Sequence, residues 1–265
     1  MSASLLEAVQ DAQSVVVVTG AGISLASGIS TFRGTDPGAV WATDVMEKGT
    51  RRFFERDPVA SWSWYLDRFG GLLDHEPNPA HVALAQLERW LEGQGRSFLL
   101  VTQNVDCLHE AAGSRSMVKV HGTADRVRCP RVGCDNGVPK GSIPMLEVDF
   151  SLFIAEKTIE NLPVCPLCGG LLRPHVLWFD EYYTDHRDYE FDRVRRAQKS
   201  ARITLFVGTS FSVGITDMAL HTALQRGQRI YSIDPVSRPP HANVHWIAQR
   251  SEKALPALMQ ELAAR

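Results

Sequence analysis

Val15-Val16-Val17-Val18-Thr19 is an unbroken β-branched run that stops at Gly20, the pattern of a strand buried on both faces. Similar runs recur at 97–102, 117–121, 203–207 and 229–233. Between several of them apolar residues return at helical spacing. Val82, Leu84, Ala85, Leu87 and Leu91 mark a helix over 81–91, residues 217–225 form another, and Leu255, Leu258, Met259 and Leu262 line a closing one. Strands alternating with helices predict βαβ units and an α/β fold on a parallel sheet. Ligands of such sheets sit at the carboxyl ends of the strands.

Two segments interrupt the alternation. Residues 36–73 hold no clear strand and are rich in Trp, Phe and Arg, which reads as a helical insertion. Residues 128–172 carry four of the five cysteines among Pro and Gly. The division expected is therefore a Rossmann-like domain from 1–35, 74–127 and 173–265, the insertion at 36–73, and a small module at 128–172. Cys129-x4-Cys134 and Cys165-x2-Cys168 suit tetrahedral Zn²⁺, and four thiolates leave no open position, so the metal is expected to be structural. Cys107 stands apart and reads as a packing residue.

Composition narrows the partners. The chain has 265 residues, 22% of them charged, with a formal net charge of -2, so no global basic field recruits nucleic acid or anionic membrane. Arg126, Arg128 and Arg131 lie near the cysteines, but Asp125 and Asp135 beside them thin the case for a nucleic-acid-binding module. No apolar run approaches the roughly 20 residues that span a bilayer. The first 14 residues contain Glu7 and Asp11 and lack the pattern of a signal or transit peptide. A cytoplasmic monomer is the expectation.

After the first strand comes Gly20-Ala21-Gly22-Ile23-Ser24, then Ser27-Gly28-Ile29 and Phe32-Arg33-Gly34. Glycines here let backbone approach a pyrophosphate. A dehydrogenase fingerprint would have a third glycine where Leu25 stands. By itself the loop is equally a tight strand–helix turn. With Thr102-Gln103-Asn104-Val105-Asp106, Val120-His121-Gly122, the cysteine pairs, 173–179 and Gly208-Thr209-Ser210 in that order, the chain closely resembles the sirtuin family from about Val15 to Leu262. The resemblance implies an NAD-dependent protein-lysine deacylase that releases nicotinamide and O-acyl-ADP-ribose, acting on an acyl-lysine protein or peptide.

The chemistry is demanding, because an amide oxygen is a poor nucleophile, and positioning in a dry site supplies most of the help. A later attack by a ribose hydroxyl needs a base with a pKa near neutrality, which histidine offers. His121 is the candidate. The resemblance further implies that Asn104 orients the ribose and a water, that Asp106 holds the nicotinamide carboxamide, and that Gln103 touches the ribose. It places Gly20, Ala21, Gly22, Ser24, Phe32, Arg33, Gly208, Thr209, Ser210, Asp234 and Ser251 on NAD, and Val176, Trp178 and Phe179 on the substrate.

Tyr65 and Arg68 are three apart and would share a helix face. Together they could grip a carboxylate at the end of an acyl chain, as in the sirtuin class that removes succinyl and malonyl groups. An amphipathic helix edge is the bland reading of the same pair. Three positions depart from the family pattern: Asp180 where glycine is usual, Ile215-Thr216 where Pro-Ala is usual, and Asp234 where asparagine is usual. The first two touch the substrate loops. They motivate a rival reading, an ADP-ribosyltransferase or NAD hydrolase on the same fold.

Overall fold

The computed structural model describes residues 3–30 and 43–264. Six strands form one parallel sheet: β1 (Ser14–Thr19), β2 (Ser97–Thr102), β3 (Met117–Lys119), β7 (Ile203–Val207), β8 (Arg229–Ile233) and β9 (Val244–Ile247), in the order β3-β2-β1-β7-β8-β9. The three between them in sequence, β4 (Gly122–Arg128), β5 (Ile143–Pro144) and β6 (Arg173–Val176), form a separate antiparallel sheet ordered β5-β4-β6. This is the Rossmann-like architecture expected. The order reverses beside β1, so the crevice for a ligand opens between the ends of β1 and β7.

Both faces of β1 are covered, as its unbroken apolar run requires. Val15 and Val17 pack with Leu84, Leu87 and Leu91 of Pro79–Glu92 and Leu255, Leu258 and Leu262 of Ser251–Ala263. Val16 and Val18 face the opposite layer, with Val194 of Phe191–Ser200 and Ile215 and Ala219 of Gly214–Gln225. At about 25 cal/mol per Å² of apolar surface removed from water, each such valine contributes roughly 1.5–3 kcal/mol against exposure.

A third cluster fastens the remaining parts together. Trp62 and Tyr65 of Pro58–Phe69 pack against Phe150, Phe153, Cys129 and Trp178. Trp62 is fully buried and donates its indole N–H to the Leu172 carbonyl at 2.8 Å. Residues 43–69 are helical in three pieces: Thr43–Lys48, Arg51–Arg56 and Pro58–Phe69. Asp57 caps the last by accepting from Ala60 N at 2.9 Å, and Pro58 follows at its first position.

Three details differ from the sequence pattern. The strand over 117–121 stops at Lys119, and the antiparallel β4 begins at Gly122, so His121 sits in the junction between sheets. β4 and β6 draw residues 122–127 and 173–176 into the small sheet beyond the 128–172 expected for it. Phe191–Ser200 is a helix whose only apolar residues are Phe191, Val194 and Ala197, and β9 is a four-residue edge strand with His245 exposed. Both are too polar or too short to stand out by periodicity.

Candidate functional site

A cavity of about 910 Å³ opens at the carboxyl ends of β1, β2, β7 and β8. Its floor is backbone. Gly20 N–H donates to the Val207 carbonyl at 3.1 Å and Gly22 N–H to the Gly208 carbonyl at 2.9 Å. A Cβ on Gly22 would lie 2.8 Å from Gly208 Cα, and one on Gly208 would lie 2.4 Å from Ile23 N with φ at +59°. Only glycine fits positions this close. The turn that follows, Ala21–Ser27, is a 3₁₀ segment.

One wall carries Gln103 and Asn104 from the end of β2, and Asn104 leads into a polar network at a smaller adjoining cavity. Asn104 Nδ2 donates to Ser24 Oγ at 3.1 Å and to the Gly20 carbonyl at 3.2 Å, and Ser24 Oγ donates to Asp106 Oδ2 at 2.9 Å. Asp106 also accepts from Leu108 N at 3.2 Å. Burial raises the Asp106 pKa, opposed by those two donors. Gln103 Nε2 donates to the Thr19 carbonyl at 3.1 Å and lies 3.4 Å from Thr209 Oγ1. The strand ends thus hold Gln103, Asn104 and Asp106 together with the glycine loop.

His121 enters from the sheet junction. Its Nδ1 contacts the Gln103 carbonyl at 2.8 Å, which makes that nitrogen the protonated one and leaves Nε2 as the acceptor. Burial pushes its pKa down to about 4, with the Gln103 contact opposing. Gly122 follows at φ +77°, where a Cβ would lie 2.1 Å from the His175 carbonyl. Leu177 N–H donates to the His121 carbonyl at 2.8 Å. The histidine is therefore clamped between the two sheets.

The other predicted residues divide. Ala21, Thr209, Ser210, Asp234, Ser251, Val176, Trp178, Phe179 and Tyr65 all line the cavity. Phe32 and Arg33 lie outside the described residues. Arg68 lies at a smaller adjoining cavity, with Ser24, Asn104 and Asp106. The helix thus presents Tyr65 to the main cavity and Arg68 to its neighbour. The Tyr65 hydroxyl is buried with no hydrogen-bond partner, and burial raises its pKa. Asp234 Oδ1 accepts from Val236 N at 2.9 Å and Ser237 N at 2.6 Å, so one oxygen shapes the loop after β8.

Asp180 has a definite task. Its Oδ1 accepts from Arg51 N at 2.7 Å and its Oδ2 from Arg52 N at 3.1 Å, two first-turn N–H groups of Arg51–Arg56 that the N-cap Thr50 does not reach, while Phe179 N–H donates to the Gly49 carbonyl at 3.0 Å. Glu181 beside it accepts from Trp178 N at 3.1 Å and pairs with buried Arg173 and Arg128. Sequence reasoning missed Tyr183, which lines the cavity and stacks on His121 with ring centroids 5.8 Å apart. No periodicity or motif sets Tyr183 apart from Tyr182.

The four cysteines converge. Cys129 and Cys168 sulfurs are 3.4 Å apart, Cys134 and Cys165 sulfurs 3.6 Å, and all four lie within 4.8 Å of one another. Tetrahedral zinc at Zn–S of about 2.3 Å separates its sulfurs by roughly 3.8 Å, so the set fits structural Zn²⁺. The trio His175, His186 and Asp188 is also close. There Asp188 N–H occupies His186 Nδ1 at 3.2 Å, and the Asp188 carboxylate meets His175 Nε2 at 3.1 Å, a closed hydrogen-bonded turn. Among the described residues, no helix is long and apolar enough to cross a membrane.

The cavity's glycine floor, the donors at the strand ends and its volume fit a dinucleotide. Comparison with known proteins agrees. Residues 20–214 match the Sir2 family model. An NAD-dependent protein deacylase of Thermus thermophilus is 37% identical over 231 residues, 87% of this chain and 82% of that protein. The mitochondrial NAD-dependent protein deacylase sirtuin-5 of Danio rerio is 38% identical over 224 residues, 82% of this chain and 72% of that one. A Sir2 homologue solved with NAD superposes with a TM-score of 0.80 at 33% identity, covering 100% of this chain and 94% of that one. An ADP-ribose complex of a Sir2 homologue gives 0.83 at 33% identity, covering 100% and 97%. The chain belongs to the Sir2 family.

Proposed function

We propose that this protein is an NAD-dependent protein-lysine deacylase whose general base is His121. The observation that carries the reading is the position of His121 Nε2. Left as an acceptor by the Gln103 contact, it belongs to a side chain that lines one cavity with the glycine floor, Gln103, Asn104 and the apolar walls of Trp178 and Phe179, while Asp106 and Ser24 lie at the adjoining cavity that shares Asn104. NAD supplies a ribose carbon whose nicotinamide leaves, giving the amide oxygen an electrophile.

The residues divide the work by place. Gly20, Ala21, Gly22, Ser24, Gly208, Thr209 and Ser210 hold the pyrophosphate and adenosine ribose through backbone N–H and hydroxyl groups. Asp234 and Ser251 complete that end. Gln103 and Asn104 orient the second ribose, and Asp106, held by Ser24, meets the carboxamide. Val176, Trp178 and Phe179 enclose the acyl-lysine and exclude water. His121 accepts the ribose hydroxyl proton at Nε2, while its Nδ1–H stays on the Gln103 carbonyl.

The acyl group favoured by this site is a short acidic one, succinyl or malonyl. Tyr65 supports that reading, since its buried hydroxyl has no partner and stands in the cavity wall. Arg68, one turn further along the helix, supplies positive charge at the adjoining cavity.

The test uses purified protein, NAD, and one peptide bearing acetyl-, succinyl- or malonyl-lysine, with nicotinamide release and peptide mass followed together. The expected result is nicotinamide release that requires the acyl peptide and falls at least about 100-fold in His121→Ala. Equal release without peptide would replace this reading with an NAD hydrolase.

A further inference from the structure

Tyr183 is the residue nearest the proposed base that no motif anticipates. Its hydroxyl lies 3.4 Å from His121 Nε2. A contact of that length is weak on its own, although catalytic hydrogen bonds are often long before substrate binds. Its direction is set by the histidine ring it meets, whose Nδ1 is already used on the Gln103 carbonyl at 2.8 Å.

The polarity of the chain follows. The hydroxyl hydrogen turns towards His121 Nε2, the nitrogen left as acceptor by the Gln103 carbonyl. The tyrosine ring is fixed as well. It stacks on His121 at an interplanar angle of 18° and on Phe191 at 14°, with the latter ring centroids 5.1 Å apart.

We propose that Tyr183 is a positioning residue for the base: held by its ring stack on His121 and Phe191, its hydroxyl keeps His121 in the Nδ1–H tautomer and occupies Nε2 until a substrate hydroxyl replaces it. It does not touch the reacting atoms and acts through His121. Other charged groups on the elements around the histidine are engaged elsewhere. Glu181 pairs with Arg173 and Arg128, Lys119 with Glu110, and Asp106 accepts from Ser24 and Leu108.

The proposal rests on His121 being the base, so wild type and His121→Ala are assayed in parallel with NAD and the best acyl peptide. Tyr183→Phe keeps the ring stack and removes only the hydroxyl. It should lower kcat/KM about 10-fold, mainly through kcat. Loss of a donor to the neutral imidazole should also move the acid limb of the kcat/KM profile up by about half to one pH unit. A Tyr183→Phe enzyme with wild-type kcat and an unmoved acid limb would overturn the proposal. If wild type itself shows no peptide-dependent turnover, it is the deacylase reading that falls.

Discussion

His121 is half-buried and Tyr65 buried, and the two rings stand in opposite electrostatic situations. His121 lines the cavity with its Nδ1–H used by a carbonyl and its Nε2 left as an acceptor, which suits the base proposed for it. Tyr65 has a hydroxyl with no partner, which is a donor waiting for a ligand, since an unpaired buried polar group costs about 1–3 kcal/mol. Tyr65→Phe and Arg68→Met should therefore each lower kcat/KM for succinyl-lysine peptide about 10-fold or more while changing acetyl-lysine turnover less than about 3-fold. Equal losses on both peptides would remove the pair from acyl recognition. That His121 and Asn104 meet at one cavity, with Asp106 at its neighbour, was legible in the sequence because several short motifs occur in one order. Tyr183 was not, since its significance comes from a contact 62 residues away with His121 that no local pattern encodes.

Among the elements, the junction between Arg51–Arg56 and the loop after β6 matters most for substrate. Asp180 is a departure from the family pattern whose consequence only the structure reveals. It supplies two acceptors to the free N–H groups of Arg51 and Arg52 at the helix start, beside Thr50, the N-cap that accepts from Phe53 N at 3.2 Å. These bonds tie the loop of Phe179 to this helix, and a Cβ added at Gly49 would lie 2.9 Å from a Phe179 ring carbon. Asp180→Gly should loosen the wall and raise KM for the acyl peptide about 3- to 10-fold, with KM for NAD changing less, and Asp180→Asn should restore part of the loss. Unchanged peptide KM in Asp180→Gly would confine the residue to a structural role. The parallel strands were readable as apolar runs. The antiparallel β4 was not, because Gly122 to Arg128 mixes polar and apolar residues without strict alternation.

Across the whole molecule, five histidines are held neutral by burial. The pKa of His81, His121 and His175 is lowered to about 4, that of His109 well below the ordinary value, and that of His186 also lowered. A depressed native pKa means that the unfolded chain binds protons the native state refuses. The associated stability is present above the ordinary histidine value of about 6.5 and is lost as pH falls towards 4. For the fully buried His81 and His175 this amounts to about 1–2 kcal/mol each by pH 5. The melting temperature should drop steadily between pH 7.5 and 5, and a flat profile would show that these rings accept protons in the fold. The same compactness explains why the overall layout was readable in advance. A sheet buried on both faces, a cysteine set and a glycine loop each leave a dense local signature, whereas the shared walls of the cavity are assembled from 20–252.

The central claim is that the acyl group moves from lysine to the ADP-ribose of NAD at the His121 site. Mass spectrometry of the nucleotide product, after incubation with NAD and succinyl-lysine peptide, tests it most directly. The account predicts a product whose mass is ADP-ribose esterified with the succinyl group, formed in equal amount to free lysine peptide and nicotinamide and absent with His121→Ala. Free ADP-ribose beside unchanged acyl peptide, or peptide carrying the ADP-ribose, would contradict it.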